Sequence, residues 1–138
     1  MKKILLIALG GTISAKGKNR LDLKDYKSGL LQGDYYLEDL PELKETAEIK
    51  VLQVDNVSST EMKGTHWIKL KHELEYYLNE KAFDGAVITH GTNTLEETAY
   101  FLHLTVNSLK PIVLVGSQRP YTAVSSDAQL NLIHAVKV

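Results

Sequence analysis

Hydroxyl, amide and imidazole groups are concentrated in one short stretch, residues 89–97, with the sequence Thr-His-Gly-Thr-Asn-Thr-Leu-Glu-Glu. An apolar run at residues 86–88 precedes it and a helical pattern of apolar residues follows, so it is predicted to be a turn from a strand into a helix. Free backbone N–H groups and the helix dipole stabilise negative charge at such a turn. A purely structural interpretation is also open, because Thr94 and Glu97 have the spacing of a helix capping box.

Three other polar stretches occupy the same kind of position. Each follows an apolar run and is rich in glycine and hydroxyl groups: residues 10–14 (Gly-Gly-Thr-Ile-Ser), 55–60 (Asp-Asn-Val-Ser-Ser-Thr) and 116–120 (Gly-Ser-Gln-Arg-Pro). Open parallel sheets bind ligands at the carboxyl ends of their strands. Glycines there leave N–H groups free to form an oxyanion hole, and a hydroxyl becomes a nucleophile when a base removes its proton. The residues alone indicate acyl transfer or anion binding, without a choice between them.

The elements that must position these stretches follow from the apolar pattern. Strands are predicted at residues 2–9, 49–54, 86–88 and 112–115, and helices at about 65–81, from 94 to before Pro111, and from about 126 onward. In the last helix Leu130, Ile133 and Val136 are predicted to face inward, whereas residues 25–36 are predicted to be a loop with at most one helical turn. Strands that alternate with helices predict a three-layer α/β/α domain with a mostly parallel sheet, formed by residues 1–138.

Composition excludes several classes of protein. The chain has 138 residues, enough for one domain, and its 16 basic and 17 acidic residues give no indication of a nucleic-acid or membrane partner. The absence of cysteine rules out disulfides and thiolate metal sites and suits a reducing cytoplasm. The amino-terminal apolar run is too short for a signal peptide and is predicted to be a buried strand.

Competing motifs fail on inspection. Residues 10–12 lack the ending of a phosphate-binding P-loop, and the chain contains neither a dinucleotide-binding glycine pattern nor a Gly-x-Ser-x-Gly elbow. The five histidines do not have the spacing of a metal site. His90 is distinguished only by its position, and it is predicted to orient the turn that follows it through hydrogen bonds.

Taken together, the polar stretches resemble the amino-terminal domain of the bacterial-type L-asparaginase/glutaminase family, which implies a flavodoxin-like winding of the sheet. The matching pieces occur in family order from residue 1 to residue 138: residues 10–13, Tyr26 with Ser28 and Gly29, residues 58–62, residues 89–99, residues 115–120 and residues 125–127. One piece alone would be weak evidence for the family. All of them in sequence make the resemblance specific.

The resemblance implies a role for each matching residue. Thr12 corresponds to the nucleophile that attacks the side-chain amide carbon, and Tyr26 to the tyrosine that activates it and closes over the substrate. Thr92 corresponds to a second catalytic threonine that polarises the amide or delivers water, with Asn93 at the position of its partner. The implied substrate-binding residues are Gly11, Ser58, Ser59, Thr60, Thr92 and Asn93.

The implied reaction is acylation of a threonine with release of ammonia, followed by hydrolysis of the ester. It needs neither a metal nor an organic cofactor, and its partner is a small-molecule amino-acid amide. The full-length protein is expected to be a cytoplasmic homo-oligomer. The sequence does not choose between asparagine and glutamine, which differ by one methylene.

Two departures from the family pattern affect these expectations. Position 93 is asparagine where the family has aspartate, so an acceptor oxygen remains but the negative charge is lost. The last helical pattern runs to Val138 without a stop signal, and the family's catalytic lysine and smaller carboxy-terminal domain are expected to lie outside the chain. The 138-residue segment alone is therefore expected to have little or no amidase activity.

Two alternatives from other classes stay open. Asn93 and the missing segment both favour a catalytically silent small-molecule binding homologue. An amidotransferase subunit acting on glutamyl-tRNA also resembles this domain, but the even distribution of lysines gives no sign of an RNA-binding surface.

Overall fold

The computed structural model describes residues 1–138, and its four strands form one wholly parallel sheet in the order β2–β1–β3–β4. The strands are β1 (Lys3–Gly10), β2 (Glu48–Val57), β3 (Gly85–Thr89) and β4 (Ile112–Val115). The central strand β1 pairs on both sides, with Leu6 opposite Val51 of β2 and Val87 of β3. Near-continuous apolar runs are typical of such strands, because both faces of the sheet are covered.

Five helices connect or follow the strands. They are α1 (Gly33–Asp39), α2 (Pro41–Thr46), α3 (Gly64–Glu75), α4 (Leu95–Thr105) and α5 (Ala128–Lys137), and α3 continues into a π-helical turn at Tyr76–Glu80. Two short 3₁₀ turns, Thr12–Ser14 and Ser59–Glu61, follow β1 and β2 directly. None of the helices has the length and apolar character needed to cross a membrane.

Alternate side chains of the strands belong to two separate cores, one on each face of the sheet. On one face Leu6 and Val87 pack with buried residues of α1, α2 and α5. On the other face Leu5 and Ile88 pack with buried residues of α3 and α4, such as Leu70. The predicted three-layer α/β/α architecture is therefore confirmed, and the sheet is parallel throughout.

The segment predicted as a loop, residues 25–36, contains the start of α1 at Gly33. A β-carbon on Gly33 would lie 2.6 Å from Val51 Cγ1 and 3.0 Å from Ala8 Cβ. This glycine allows the helix to approach the sheet closely, so it is a packing residue rather than a helix breaker. The following helix α2, which was not predicted, has Pro41 in its first turn, where a missing N–H is tolerated.

The prediction that Leu130 faces inward was wrong, because its side chain is 57% exposed. Val136 is buried as predicted and Ile133 is partly buried against the core, whereas Ala128, Leu132 and Ala135 complete the inward stripe of α5. Two small alanines allow the helix to lie close to the sheet, and a pattern search that counts only large apolar residues misses them. The predicted strand 49–54 also ends too early, because β2 continues to Val57.

Candidate active site

A cavity of about 300 Å³ opens at the carboxyl edge of the sheet, where the four strands end. Its walls contain residues that follow each of β1, β2, β3 and β4, so the expectation that four polar stretches meet at one edge is confirmed. The lining residues are Gly11, Thr12, Tyr26, Ser28, Ser58, Ser59, Thr92, Asn93 and Gln118. Thr12 and Thr92 are therefore both wall residues of one cavity.

Thr12 begins the 3₁₀ turn that follows β1, and its Oγ1 lies 3.2 Å from Tyr26 Oη. The two residues are brought together by a short antiparallel contact, in which the Lys16 N–H donates to Lys27 O over 3.3 Å. This contact closes residues 16–27 into an extended loop that returns Tyr26 to the cavity. The geometry places a phenol within hydrogen-bond distance of a half-buried hydroxyl.

Gly11 allows the loops after β1 and β3 to touch through their backbones. It has a φ of +83°, and a β-carbon at this position would lie 2.4 Å from both the Cα and the N of Gly91. Gly11 was expected to contact the substrate. The structure shows that Gly11 first allows the approach of a neighbouring loop, and this contact fixes the spacing between Thr12 and Thr92.

The Gly11→Ala substitution is expected to lower the free energy of unfolding by about 2–4 kcal/mol, because left-handed strain adds to a clash with backbone atoms. Urea unfolding followed by circular dichroism measures the change. Gly64→Ala is the matched control, since a β-carbon there meets nothing within 4 Å and the residue begins α3. An equal stability for Gly11→Ala and Gly64→Ala would contradict the proposed contact between loops.

The turn after β2 is held by its own side chains. Ser58 and Glu61 form a capping box, in which the Ser58 N–H donates to Glu61 Oε2 over 3.3 Å. Ser58 Oγ also lies 2.9 Å from Thr60 Oγ1. Thr60 is exposed and is not among the residues that line the cavity, so of the predicted site residues it alone lies outside the wall.

Ser59 joins this turn to the turn after β3. Its buried Oγ accepts a hydrogen bond from the Asn93 N–H over 3.3 Å, and its carbonyl accepts one from Thr94 Oγ1 over 2.8 Å. The predicted capping box at Thr94 is therefore wrong, because its hydroxyl bonds to Ser59 and does not cap α4. The Ser59 hydroxyl keeps its own proton free to donate to a ligand.

Two lining residues, Ser28 and Gln118, had no assigned role in the sequence, although both lie inside the matched stretches. Gln118 is fixed through its backbone, since the Gln118 and Arg119 N–H groups donate to the Asp127 carboxylate over 2.9 and 3.0 Å. Burial acts to raise the pKa of Asp127, but these two donors, together with the Asp127 N–H and the Asn131 amide, outweigh burial and hold the pKa below its ordinary value. Asp127 is thus the anchor of the loop that presents Gln118.

No side chain that lines the cavity is charged at neutral pH. The carboxylate of Asp55, which follows β2, does not line the cavity. It pairs with His66, with 3.3 Å between Asp55 Oδ2 and His66 Nε2. The cavity therefore offers hydroxyl, amide and backbone groups, which suit a nucleophile and an oxyanion but not a strong base.

His90 forms the hydrogen bonds that were predicted for it. Its buried ring lies 2.7 Å from Gly91 O through Nδ1 and 2.8 Å from Thr98 Oγ1 through Nε2. Burial lowers the pKa of His90 below its ordinary value. The neutral ring is consequently part of the folded structure beneath the turn at residues 91–93.

The free energy of unfolding is expected to fall below about pH 6.5 because of His90. Below that pH the unfolded chain binds a proton at His90 that the folded chain does not bind. The contribution of the neutral His90 to the free energy of unfolding is therefore complete above the unfolded pKa, and it is lost as the pH falls through the folded pKa. Urea unfolding at about pH 7.5 and about pH 5.5 tests this linkage. The loss of stability between the two pH values should be smaller in His90→Asn and unchanged in His72→Asn, where the histidine is exposed. Equal losses in the two variants would contradict the role of His90.

Comparison with known proteins shows the family to which this fold belongs. Residues 3–138 match the family model described as "Asparaginase, N-terminal". L-asparaginase 2 of Bacillus subtilis is 44% identical over the whole chain, which spans 37% of that protein. A probable periplasmic L-asparaginase of Haemophilus influenzae is 45% identical over the whole chain, which spans 39% of that protein.

The same assignment follows from a solved structure. The crystal structure of a probable cytoplasmic L-asparaginase from Campylobacter jejuni superposes with a TM-score of 0.96 at 38% identity, covering 99% of this chain and 41% of that one. Fold and cavity define a parallel α/β domain with a hydroxyl-lined site at its carboxyl edge. The chain belongs to the asparaginase family, in which it corresponds to the amino-terminal domain.

Proposed function

We propose that the chain is the amino-terminal domain of an amidohydrolase that converts the side-chain amide of L-asparagine to the acid and ammonia. The observation that carries the proposal is the shared cavity, in which Thr12 and Thr92 are both wall residues and Tyr26 Oη lies 3.2 Å from Thr12 Oγ1. Membership of the asparaginase family supports the same reaction class. Glutamine is the second candidate substrate, since one methylene changes binding by only about 1–3 kcal/mol.

In the proposed reaction, Thr12 Oγ1 attacks the amide carbon and gives its proton to Tyr26 Oη, while Tyr26 passes its own phenol proton on to the amide nitrogen. Backbone N–H groups of the glycine-containing turns stabilise the negative oxygen of the tetrahedral intermediate. The nitrogen, which now carries the relayed proton, leaves as ammonia when the carbon–nitrogen bond breaks, and an ester on Thr12 remains. Water, held by Thr92, hydrolyses the ester and restores the threonine hydroxyl.

The remaining wall residues are proposed to hold the two charged ends of the amino acid. The hydroxyls of Ser58 and Ser59 suit the α-carboxylate, and Thr60 forms a hydrogen bond with Ser58 from outside the wall. The oxygen of Asn93 suits the ammonium group. Gly11 supplies backbone rather than side-chain contact.

A second candidate function is supported by the same cavity. With Asn93 in place of a carboxylate and no charged side chain in the wall, the domain can bind an amino acid amide without turning it over. Such a silent binding homologue shares the fold and the ligand with the enzyme. The two candidates differ in ammonia release, not in ligand binding.

Activity of the amidohydrolase is proposed to need more than these 138 residues. The relatives are more than twice as long as the matched region, and the cavity itself supplies no charged base. We further propose a homo-oligomeric full-length protein in the cytoplasm. The described location of the Campylobacter relative supports this compartment, whereas that of the Haemophilus relative does not.

Ammonia release and binding, measured side by side, test the proposal. The full-length protein that carries this chain should release ammonia from L-asparagine at a rate typical of enzymes, and the isolated 138-residue chain should not. Calorimetric binding of L-asparagine without ammonia release by the full-length protein would favour the silent homologue. If the full-length protein neither binds L-asparagine nor releases ammonia from it, both candidates are contradicted.

A further inference from the structure

Three side chains, two of them buried and that of Trp67 partly buried, form a hydrogen-bonded relay beneath the turn that carries Thr92. Trp67 Nε1–H donates to Thr98 Oγ1 over 2.8 Å, Thr98 Oγ1 lies 2.8 Å from His90 Nε2, and His90 Nδ1 lies 2.7 Å from Gly91 O. His90 is 1% exposed and Thr98 is fully buried. None of the three lines the cavity, so the relay acts on the site only through the backbone.

The chemistry of the relay fixes the protonation of the imidazole. An indole N–H can only donate and a carbonyl oxygen can only accept, so Thr98 Oγ1 accepts from Trp67 and His90 Nδ1 must carry a proton to reach Gly91 O. The Thr98 proton then has one acceptor, an unprotonated His90 Nε2. Of the two neutral tautomers, only Nδ1–H satisfies all three bonds at once.

The last bond of the relay orients the peptide between Gly91 and Thr92. In a trans peptide the N–H points away from the C=O, so the Thr92 N–H points away from the buried ring that holds Gly91 O. This N–H has no acceptor within the chain. The side chain of the same residue is in the cavity wall.

We propose that His90 is a positioning residue, which holds the Gly91 carbonyl so that the Thr92 N–H faces the cavity and donates to the oxyanion formed during amide hydrolysis. Trp67 and Thr98 select the tautomer that makes this bond. The inference rests on the proposed function for its catalytic meaning. The orientation of the Thr92 N–H, however, is a property of the folded chain and is testable by ligand binding alone.

Four variants of the full-length protein separate the relay from simple packing. His90→Leu removes both bonds, and His90→Asn retains a donor near the place of Nδ1. Trp67→Phe removes the first donor and keeps an aromatic ring beside Phe101, with which Trp67 stacks at 5.5 Å. His72→Leu is the control at an exposed histidine of α3.

The expected kinetic result is a fall of kcat by about 100-fold or more in His90→Leu, as for the loss of one oxyanion donor, with a much smaller change in KM. His90→Asn should recover at least about tenfold of that loss, and Trp67→Phe should show a smaller loss than His90→Leu. Unchanged kcat in a folded His90→Asn and a folded His90→Leu would overturn the inference. A general loss of stability would instead lower the active fraction in proportion to unfolding, which circular dichroism measures.

Nuclear magnetic resonance of the same proteins provides a readout that does not need turnover. The ¹⁵N shifts of the His90 ring should report the Nδ1–H tautomer at neutral pH, and L-aspartate should shift the Thr92 amide signal in the unmodified protein and in His90→Asn but not in His90→Leu. An Nε2–H tautomer, or the same Thr92 shift in every variant, would overturn the inference. If these resonance results are obtained but the full-length protein releases no ammonia, the proposed hydrolysis is overturned and the positioning of Thr92 remains supported.

Discussion

Replacing Thr12 by valine in the full-length protein is expected to lower kcat/KM for L-asparagine by at least about 1,000-fold, because the substitution removes the proposed nucleophile at nearly constant volume. The valine keeps the shape of the turn after β1, so the cavity and its other hydroxyls remain. Binding of L-aspartate, measured by calorimetry, should change by less than about tenfold, since the reacting hydroxyl contributes little to the ground state.

Two controls make this result specific. Thr12→Ser keeps a hydroxyl and should retain measurable turnover. Thr46→Val removes a threonine hydroxyl that bonds to Glu42 O inside α2, away from the cavity, and should leave kcat/KM unchanged. Full activity in Thr12→Val would show that the nucleophile is another group.

The Asn93→Asp substitution is expected to raise kcat/KM for L-asparagine by about 2–30-fold, because a hydrogen bond to a charged group contributes about 1.5–3 kcal/mol against about 1 kcal/mol for a neutral one. The carboxylate would give the cavity wall, which has no charged side chain, an anion for the substrate ammonium. The gain is measured as ammonia release from the full-length protein. It should decrease at high salt, because the interaction is electrostatic.

A substrate analogue isolates the origin of that gain. Asparagine without its α-amino group lacks the ammonium, so Asn93→Asp should give no increase with it. Asn79→Asp, a change at an exposed residue that does not line the cavity, should leave both substrates unaffected. An equal gain on both substrates would contradict the assignment of Asn93 to the ammonium, and absence of turnover in Asn93→Asp would favour the silent binding homologue.

The sequence was sufficient for the architecture because its apolar runs are unambiguous. Buried parallel strands need little but apolar residues, and each of the four runs is followed by a polar stretch rich in glycine and hydroxyls. The carboxyl ends of parallel strands lie at one edge, so a correct list of strands already places the four stretches together. The shared cavity of Thr12 and Thr92 follows from that geometry.

Tertiary contacts decided the points at which sequence reasoning failed. Gly33 suggested a loop, yet it opens α1 because only a hydrogen fits against Val51. Thr94 has the position of a helix cap, but a carbonyl from another turn, that of Ser59, is the acceptor of its hydroxyl. Such partners are distant in the sequence, and local patterns contain no information about them.

The detailed geometry of the site likewise depends on contacts between loops, which the sequence does not reveal. Gly11 was expected to accommodate a ligand, and the structure shows it against Gly91. Gln118 was visible as part of a motif, but its place in the wall depends on the anchor formed by Asp127. The relay from Trp67 to His90 joins residues on α3 and after β3, which no spacing in the sequence relates.

The most direct test of the central claim is to trap the ester. The full-length protein is mixed with L-asparagine, quenched with acid during turnover, digested with trypsin and analysed by mass spectrometry. An aspartyl adduct should appear on the peptide of residues 4–16, and fragmentation should place it on Thr12. An adduct on Thr92, within the peptide of residues 82–137, or turnover with no adduct on any threonine, would contradict the proposed mechanism.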